Sequence, residues 1–116
     1  MNYDEAMNRL LDCRLVAILR GIPVEKSQAV AEALYKGGVR VLEFTYDHAV
    51  PDFLNKTTQQ VRAVRCAFGD ALLVGCGTVL DTEEVQNGYD AGAGLIVSPN
   101  IDPEVIAYTR KQVKDN

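Results

Sequence analysis

Two hydrophobic periods alternate along this chain. The first apolar positions, Ala6, Leu10 and Leu11, recur at helical spacing between Tyr3 and Asp12 and predict a short amphipathic lead-in helix. Leu15-Val16-Ala17-Ile18-Leu19 is then a continuous apolar run of strand length, closed by Arg20-Gly21. After Pro23, which suits a first helical turn, Val30, Ala33 and Leu34 form one stripe until Gly37-Gly38 stops it. A second strand, Val39-Arg40-Val41-Leu42-Glu43-Phe44-Thr45, follows those glycines and ends on a carboxylate, Glu43, where apolar burial should be ending. Pro51 opens a longer helix in which Leu54, Thr57, Val61, Val64 and Phe68 keep a spacing of three to four, and Gly69-Asp70 turns out of it. Ala71-Leu72-Leu73-Val74-Gly75 reads as a third strand, with the glycines around Cys76 turning the backbone tightly. Asp81 with Glu84 three residues on has the form of a capping box, starting a helix through Val85 and Tyr89 that Gly92 ends. Leu95-Ile96-Val97 is a fourth strand, broken by Ser98-Pro99-Asn100. Asp102-Pro103 caps a last helix to about Gln112, before a polar tail.

A lead-in helix and four strand-helix units, with near-continuous apolar strands, imply an α/β fold: a parallel sheet covered by helices. Right-handed crossovers place all four strand C-termini on one edge. Arg20, Glu43 with Thr45, Gly77 with Thr78, and Pro99 with Asn100 then share that edge, where parallel α/β folds carry their chemistry. A carboxylate at the end of a core strand needs a partner or a task. The convergence favours a task for Glu43 over a structural ion pair.

The chain has 116 residues, 47% of them hydrophobic, which suits one domain spanning 1–116. Its net charge of -4 gives no electrostatic reason to expect nucleic acid or an anionic membrane as partner. Cys13, Cys66 and Cys76 form no C-x-x-C pair, which argues against a disulfide framework or a zinc knuckle and fits a reducing cytoplasm. No apolar run approaches the roughly 20 residues of a membrane span, and Met-Asn-Tyr-Asp-Glu lacks the shape of a signal peptide. No metal or cofactor site is read from the residues.

Four ordered blocks carry a family resemblance: Leu15 to Gly21; Gly37 to Thr45; Val74-Gly75-Cys76-Gly77-Thr78-Val79-Leu80; and Ala91-Gly92-Ala93 with Ile96-Val97-Ser98-Pro99-Asn100. Over about residues 5 to 112 the chain resembles the KDPG/KHG aldolases, class I enzymes that cleave 2-keto-3-deoxy-6-phosphogluconate or 4-hydroxy-2-oxoglutarate to pyruvate and an aldehyde. The resemblance implies the N-terminal half, (βα)4, of a TIM (β/α)8 barrel, in a family that assembles as trimers. It makes Glu43 the general acid/base and Arg20 a group facing the substrate's carboxylate or hydroxyls. It also makes Thr78, with the Gly75 and Gly77 backbone, a receiver of the pyruvyl carboxylate, and sets Pro99 and Asn100 at the same mouth. Bland alternatives stay open: an ion pair of Arg20 with Glu43 or Asp47, a plain turn into a helix at Thr78, and a loop stop at Pro99.

The chain also departs from the pattern. Asp47 stands where many relatives carry an arginine. His48, the single histidine, reads as a solvated loop residue, and Cys76 as a small buried filler. The Schiff-base amine is missing: Lys26, Lys36, Lys56, Lys111 and Lys114 all fall on predicted helices or the tail, and none ends a strand. Four strands cannot close a barrel, so association is expected, as paired half barrels or a domain-swapped homo-oligomer. Three functions follow: a shortened aldolase, inactive alone; a half-barrel module that binds a keto acid or completes another polypeptide; and, last, a flavodoxin-like phosphate or nucleotide binder. The last lacks both a G-x-G-x-x-G continuation and a Walker lysine.

Overall fold

The computed structural model describes residues 1–114. Helix α1, Tyr3–Cys13, starts on a capping box in which the Asn2 side chain takes the Glu5 N–H and the Glu5 side chain answers to the Asn2 backbone. The strands and helices then alternate as β1 Ala17–Leu19, α2 Ser27–Lys36, β2 Val41–Thr45, α3 Phe53–Phe68, β3 Leu73–Gly77, α4 Thr82–Ala91, β4 Leu95–Ile96 and α5 Pro103–Lys114. Single 3-10 turns, Val24–Lys26 and Gly69–Ala71, lead into α2 and β3. The sheet order is β1-β2-β3-β4, and each neighbouring pair is parallel. This is the parallel α/β sheet expected from the alternation, in the (βα)4 arrangement of half a TIM-barrel-like fold that the resemblance implies.

The register sorts the side chains. Leu19, Phe44, Cys76 and Ile96 form one row across the sheet and face the helices. With Leu42, Val74 and the α3 residues Val61 and Val64 they make the core, most of it fully buried. The adjacent row, Ile18, Glu43, Gly75 and Leu95, points to the other face, because successive strand residues alternate. Among the described residues only α1 covers that face, at the N-terminal end of β2 and β3 where Val41 and Leu73 are buried, and Ile18 is 66% exposed on it. Helix α1 lies across the N-terminal edge, where Arg9 donates to the carbonyls of Asp70 and Ala71 at 2.9 Å each. A cavity of about 390 Å³ between α1, β3 and β4, walled by Met7, Leu10, Leu73 and Leu95, therefore opens at the edge away from the strand C-termini.

Several boundaries move from their sequence expectation. β1 is shorter, since Leu15 and Val16 lie outside the ladder and are 61% and 38% exposed. The Pro51 start of α3 slips to Phe53, behind Asp52 in a left-handed conformation at φ 60°. On α2 Ser27 and Ala31 are the fully buried positions; of the expected stripe Leu34 packs against the core, Val30 is partly buried and Ala33 is exposed. The largest correction is β3, which runs through Gly75, Cys76 and Gly77 instead of turning there. These glycines serve close packing. A Cβ on Gly75 would lie 2.2 Å from the Leu95 carbonyl oxygen, so only a bare Cα lets β4 pair at this distance. Among the described residues no helix is long and apolar enough to cross a membrane. The polar tail expected after α5 lies outside the described residues.

Candidate functional site

Glu43 is the central residue of β2, two positions short of the edge where the sequence set it, and is only 4% exposed. Burial pushes its carboxyl pKa up, while the nearby Arg20 guanidinium draws it back. The carboxylate leans across the ladder onto β3. A Cβ on Gly77 would sit 1.5 Å from Glu43 Oε2, so the absent side chain of Gly77 is the seat that holds the acid. A buried carboxyl that resists ionisation is suited to giving and taking a proton.

Arg20 follows β1 and is exposed; its Nη2 donates to Thr78 Oγ1 at 3.3 Å. Among the described residues it forms no direct ion pair with Glu43 or Asp47, although its charge still acts on the Glu43 carboxyl. Thr78, just past β3, adopts φ 56°. A β-branched residue in that region is strained by about 1–3 kcal/mol, the kind of outlier that gathers at working sites. Its backbone is not a relaxed turn into α4, and its hydroxyl oxygen accepts from the arginine. Thr45, the last residue of β2, pairs in register with Gly77 and is 7% exposed. Arg20, Glu43, Thr45, Gly77 and Thr78 are thus brought together. Pro99 and Asn100 are exposed in the bend beyond β4, which stays alongside β3 through the Val97 N–H to Cys76 carbonyl bond (2.9 Å) and the Val79 N–H to Val97 carbonyl bond (3.1 Å). Neither makes a hydrogen bond to Glu43 or Arg20.

The sequence reading missed a polar clasp behind this edge. Glu84 was expected to close a capping box on Asp81. Asp81 does cap α4, accepting the Glu84 N–H at 2.8 Å, but the Glu84 carboxylate turns elsewhere. It accepts the Leu80 N–H at 2.9 Å and stands 3.0 and 3.1 Å from His48 Nε2, which donates in the matching tautomer. His48 is therefore a paired residue, its ring 4.6 Å from that of Phe53, and not simply solvated. Beneath it the buried Tyr46 hydroxyl lies 2.8 Å from Asn87 Oδ1 and 3.1 Å from the Glu84 carbonyl. Thr58 Oγ1 also lies against the same Asn87 side chain. The loop after β2 is thereby tied to the loop after β3. A lone histidine and a helix-start glutamate 36 residues apart carry no mutual signal in one sequence. Cys76 is fully buried as expected, and burial pushes its thiol up to about 11.

Comparison with known proteins bears on family and fold. The family model described as KDPG and KHG aldolase matches residues 6–114. The chain is 35% identical over 104 residues to the 2-dehydro-3-deoxy-phosphogluconate aldolase of Treponema pallidum (strain Nichols), covering 90% of this chain and 45% of that protein. It is 38% identical over 92 residues to the 2-dehydro-3-deoxy-6-phosphogalactonate aldolase of Escherichia coli (strain K12), covering 79% of this chain and 42% of that one. Among solved structures, the KDPG aldolase from Legionella pneumophila, with pyruvate captured as a covalent carbinolamine intermediate, superposes with a TM-score of 0.70 at 27% identity, over 83% of this chain and 43% of that one. The chain spans less than half the length of these relatives. With the family model spanning nearly all of the described residues and a relative 35% identical over 90% of this chain, the chain belongs to the KDPG and KHG aldolase family.

Proposed function

We propose that this chain, read as one domain, carries the proton-handling and keto-acid-binding half of a carbon–carbon lyase site, and that it does not form a Schiff base by itself. The observation that carries the reading is the buried Glu43 carboxyl seated on Gly77, beside the Arg20–Thr78 pair. In this reading Glu43 is the general acid/base for carbinolamine formation, dehydration and carbon–carbon cleavage. The Arg20 guanidinium meets the anionic or hydroxylated end of the substrate, and Thr78 with Gly77 receives the pyruvyl carboxylate. Thr45, Pro99 and Asn100 line the same mouth. Asp47 adds a negative charge on the loop after β2, so a phosphate or second carboxylate would need holding from elsewhere.

The Schiff-base step needs a neutral amine in a dry site. Lys26, Lys36, Lys56 and Lys111 are exposed on helical segments, and Lys114 ends α5, a placement that supports the reading. Borohydride reduction in the presence of pyruvate should leave the chain unlabelled by intact-mass analysis. Covalent pyruvyl labelling of any of its five lysines would overturn the proposal.

A second reading, a half-barrel binding or assembly module, is favoured by the sheet face that α1 covers only at one end. Ile18 is 66% exposed on that face, apolar surface that parallel sheets ordinarily bury, and Leu15, Val97 and Ile101, outside the strands, add exposed apolar side chains at 61%, 36% and 87%. The expectation is a homo-oligomer, by pairing of half barrels or by swapping. A dilute, well-folded monomer in light scattering would remove this reading. The cysteine usage suits a reducing cytoplasm.

A further inference from the structure

Thr45 stands one pleat beyond Glu43 on the same face of β2, because alternate strand residues share a side. Its partner across the ladder is Gly77, the residue on which the Glu43 carboxylate rests. A hydroxyl-bearing side chain and a carboxyl therefore flank one bare Cα at the C-terminal edge of the sheet. The Thr45 residue is 7% exposed, and its Oγ1 has no hydrogen-bond partner among the described residues. Other threonines on these elements are satisfied: Thr58 donates to the Leu54 carbonyl, Thr109 to the Val105 carbonyl, and Thr78 accepts from Arg20. A helical threonine can reach back four residues to a carbonyl, a route closed to a strand. The other orphan hydroxyl, Ser27, lies on α2 in the helix layer, away from any chemistry of this kind. A buried hydroxyl without a partner is unfavourable, so its retention beside the acid calls for a partner that arrives with a ligand. Thr χ1 wells differ in whether the hydroxyl or the methyl faces a given side, so rotation about Cα–Cβ turns the hydroxyl toward a ligand without backbone movement.

We propose that the Thr45 hydroxyl is the hydrogen-bond partner of a substrate hydroxyl lying against Glu43, and that it makes the site select hydroxylated over unhydroxylated keto acids. The inference rests on the keto-acid reading of this mouth and deepens it. A donor fixed on the substrate oxygen from one side leaves that oxygen's own proton directed at the carboxylate on the other. Thr45 thus orients the proton that Glu43 is placed to handle.

The test uses two probes that differ by a single hydroxyl, 4-hydroxy-2-oxoglutarate and 2-oxoglutarate, titrated by ligand-observed NMR against the chain and its Thr45→Val and Thr45→Ser variants. Valine keeps the shape of threonine and removes only the hydroxyl. The wild-type chain should prefer the hydroxylated probe. Thr45→Val should weaken that probe about tenfold, the effect of losing one neutral hydrogen bond, and leave 2-oxoglutarate unchanged. The same variant should melt at a higher temperature, because the orphan group is gone, and Thr45→Ser should restore the preference. Equal affinity of the wild type for both probes, equal weakening of both in Thr45→Val, or a lowered Tm in that variant would each sink this inference while the keto-acid reading stands. Binding of neither probe to the wild-type chain would overturn the reading and the inference together. If valine prevents folding, Thr45→Ala carries the same comparison of probes, with the same outcomes decisive.

Discussion

Replacing Gly77 by alanine puts a methyl group in place of a hydrogen at the point where the Glu43 carboxylate rests. The new Cβ would lie 1.5 Å from Oε2, 2.6 Å from Cδ and 3.3 Å from Oε1 of that side chain, so the carboxylate must leave its seat. Gly77 is not among the positive-φ residues, so the substitution adds no left-handed backbone strain. The obstructing group is the far end of a flexible side chain, which places the cost at the low end of overpacking, about 1–2 kcal/mol. Gly75→Ala is the contrast: its Cβ would meet the Leu95 carbonyl oxygen at 2.2 Å and the Leu95 carbonyl carbon at 2.8 Å, and backbone cannot swing aside. That substitution should cost about 3 kcal/mol or more and loosen β4 from the sheet. Urea denaturation followed by circular dichroism would measure both, with an unchanged m-value showing that the same structure unfolds. The decisive arm is a double-mutant cycle. In a Glu43→Ala background the obstruction is gone, so Gly77→Ala should cost less than about 0.5 kcal/mol there. An equal cost in both backgrounds would refute the seat and assign Gly77 an ordinary backbone role.

Other expectations follow from the same geometry. Because burial raises the Glu43 pKa in the folded chain, the folded state binds the extra proton between the ordinary carboxylate range and that raised value. Stability should therefore fall as pH rises through that window, and Glu43→Gln should flatten this part of the profile; a rising profile that flattens in the variant would contradict the assignment. Glu84→Ala leaves the Leu80 N–H and His48 without their acceptor and should cost about 2–3 kcal/mol, whereas His48→Ala, whose side chain is 31% exposed, should cost less than about 1 kcal/mol. Matched losses in denaturation midpoint for the two would argue that the clasp acts only as an ion pair. Thiol alkylation should label the exposed Cys66 and the partly exposed Cys13 in the native chain. The Cys13 thiol is drawn below its ordinary range chiefly by the Arg40 backbone N–H at 3.4 Å. Cys76, buried and pushed up to about 11, should react only on unfolding, and native labelling of it would show that the core opens.

Local chemistry was enough to set the order of strands and helices, because a continuous apolar run, a three-to-four stripe, and caps such as Asp81 and Asp102 each act within a few residues. Asp102 does cap α5, its Oδ1 accepting the Glu104 N–H at 3.0 Å. The parallel arrangement follows as well, since strands separated by helices can return only by crossovers, and with it the gathering of Arg20, Glu43, Thr45, Gly77 and Thr78 at one edge. The role of Gly75 and Gly77 was not legible, because a glycine needed for a turn and one needed for close approach look alike until the neighbouring strand is present. The Glu84–His48 clasp and the unpartnered Thr45 hydroxyl depend on where side chains from different elements meet or fail to meet. Periodicity thus determined which residues share a face, and the tertiary structure alone decided which of them touch, because contact depends on distances between elements that no local pattern encodes.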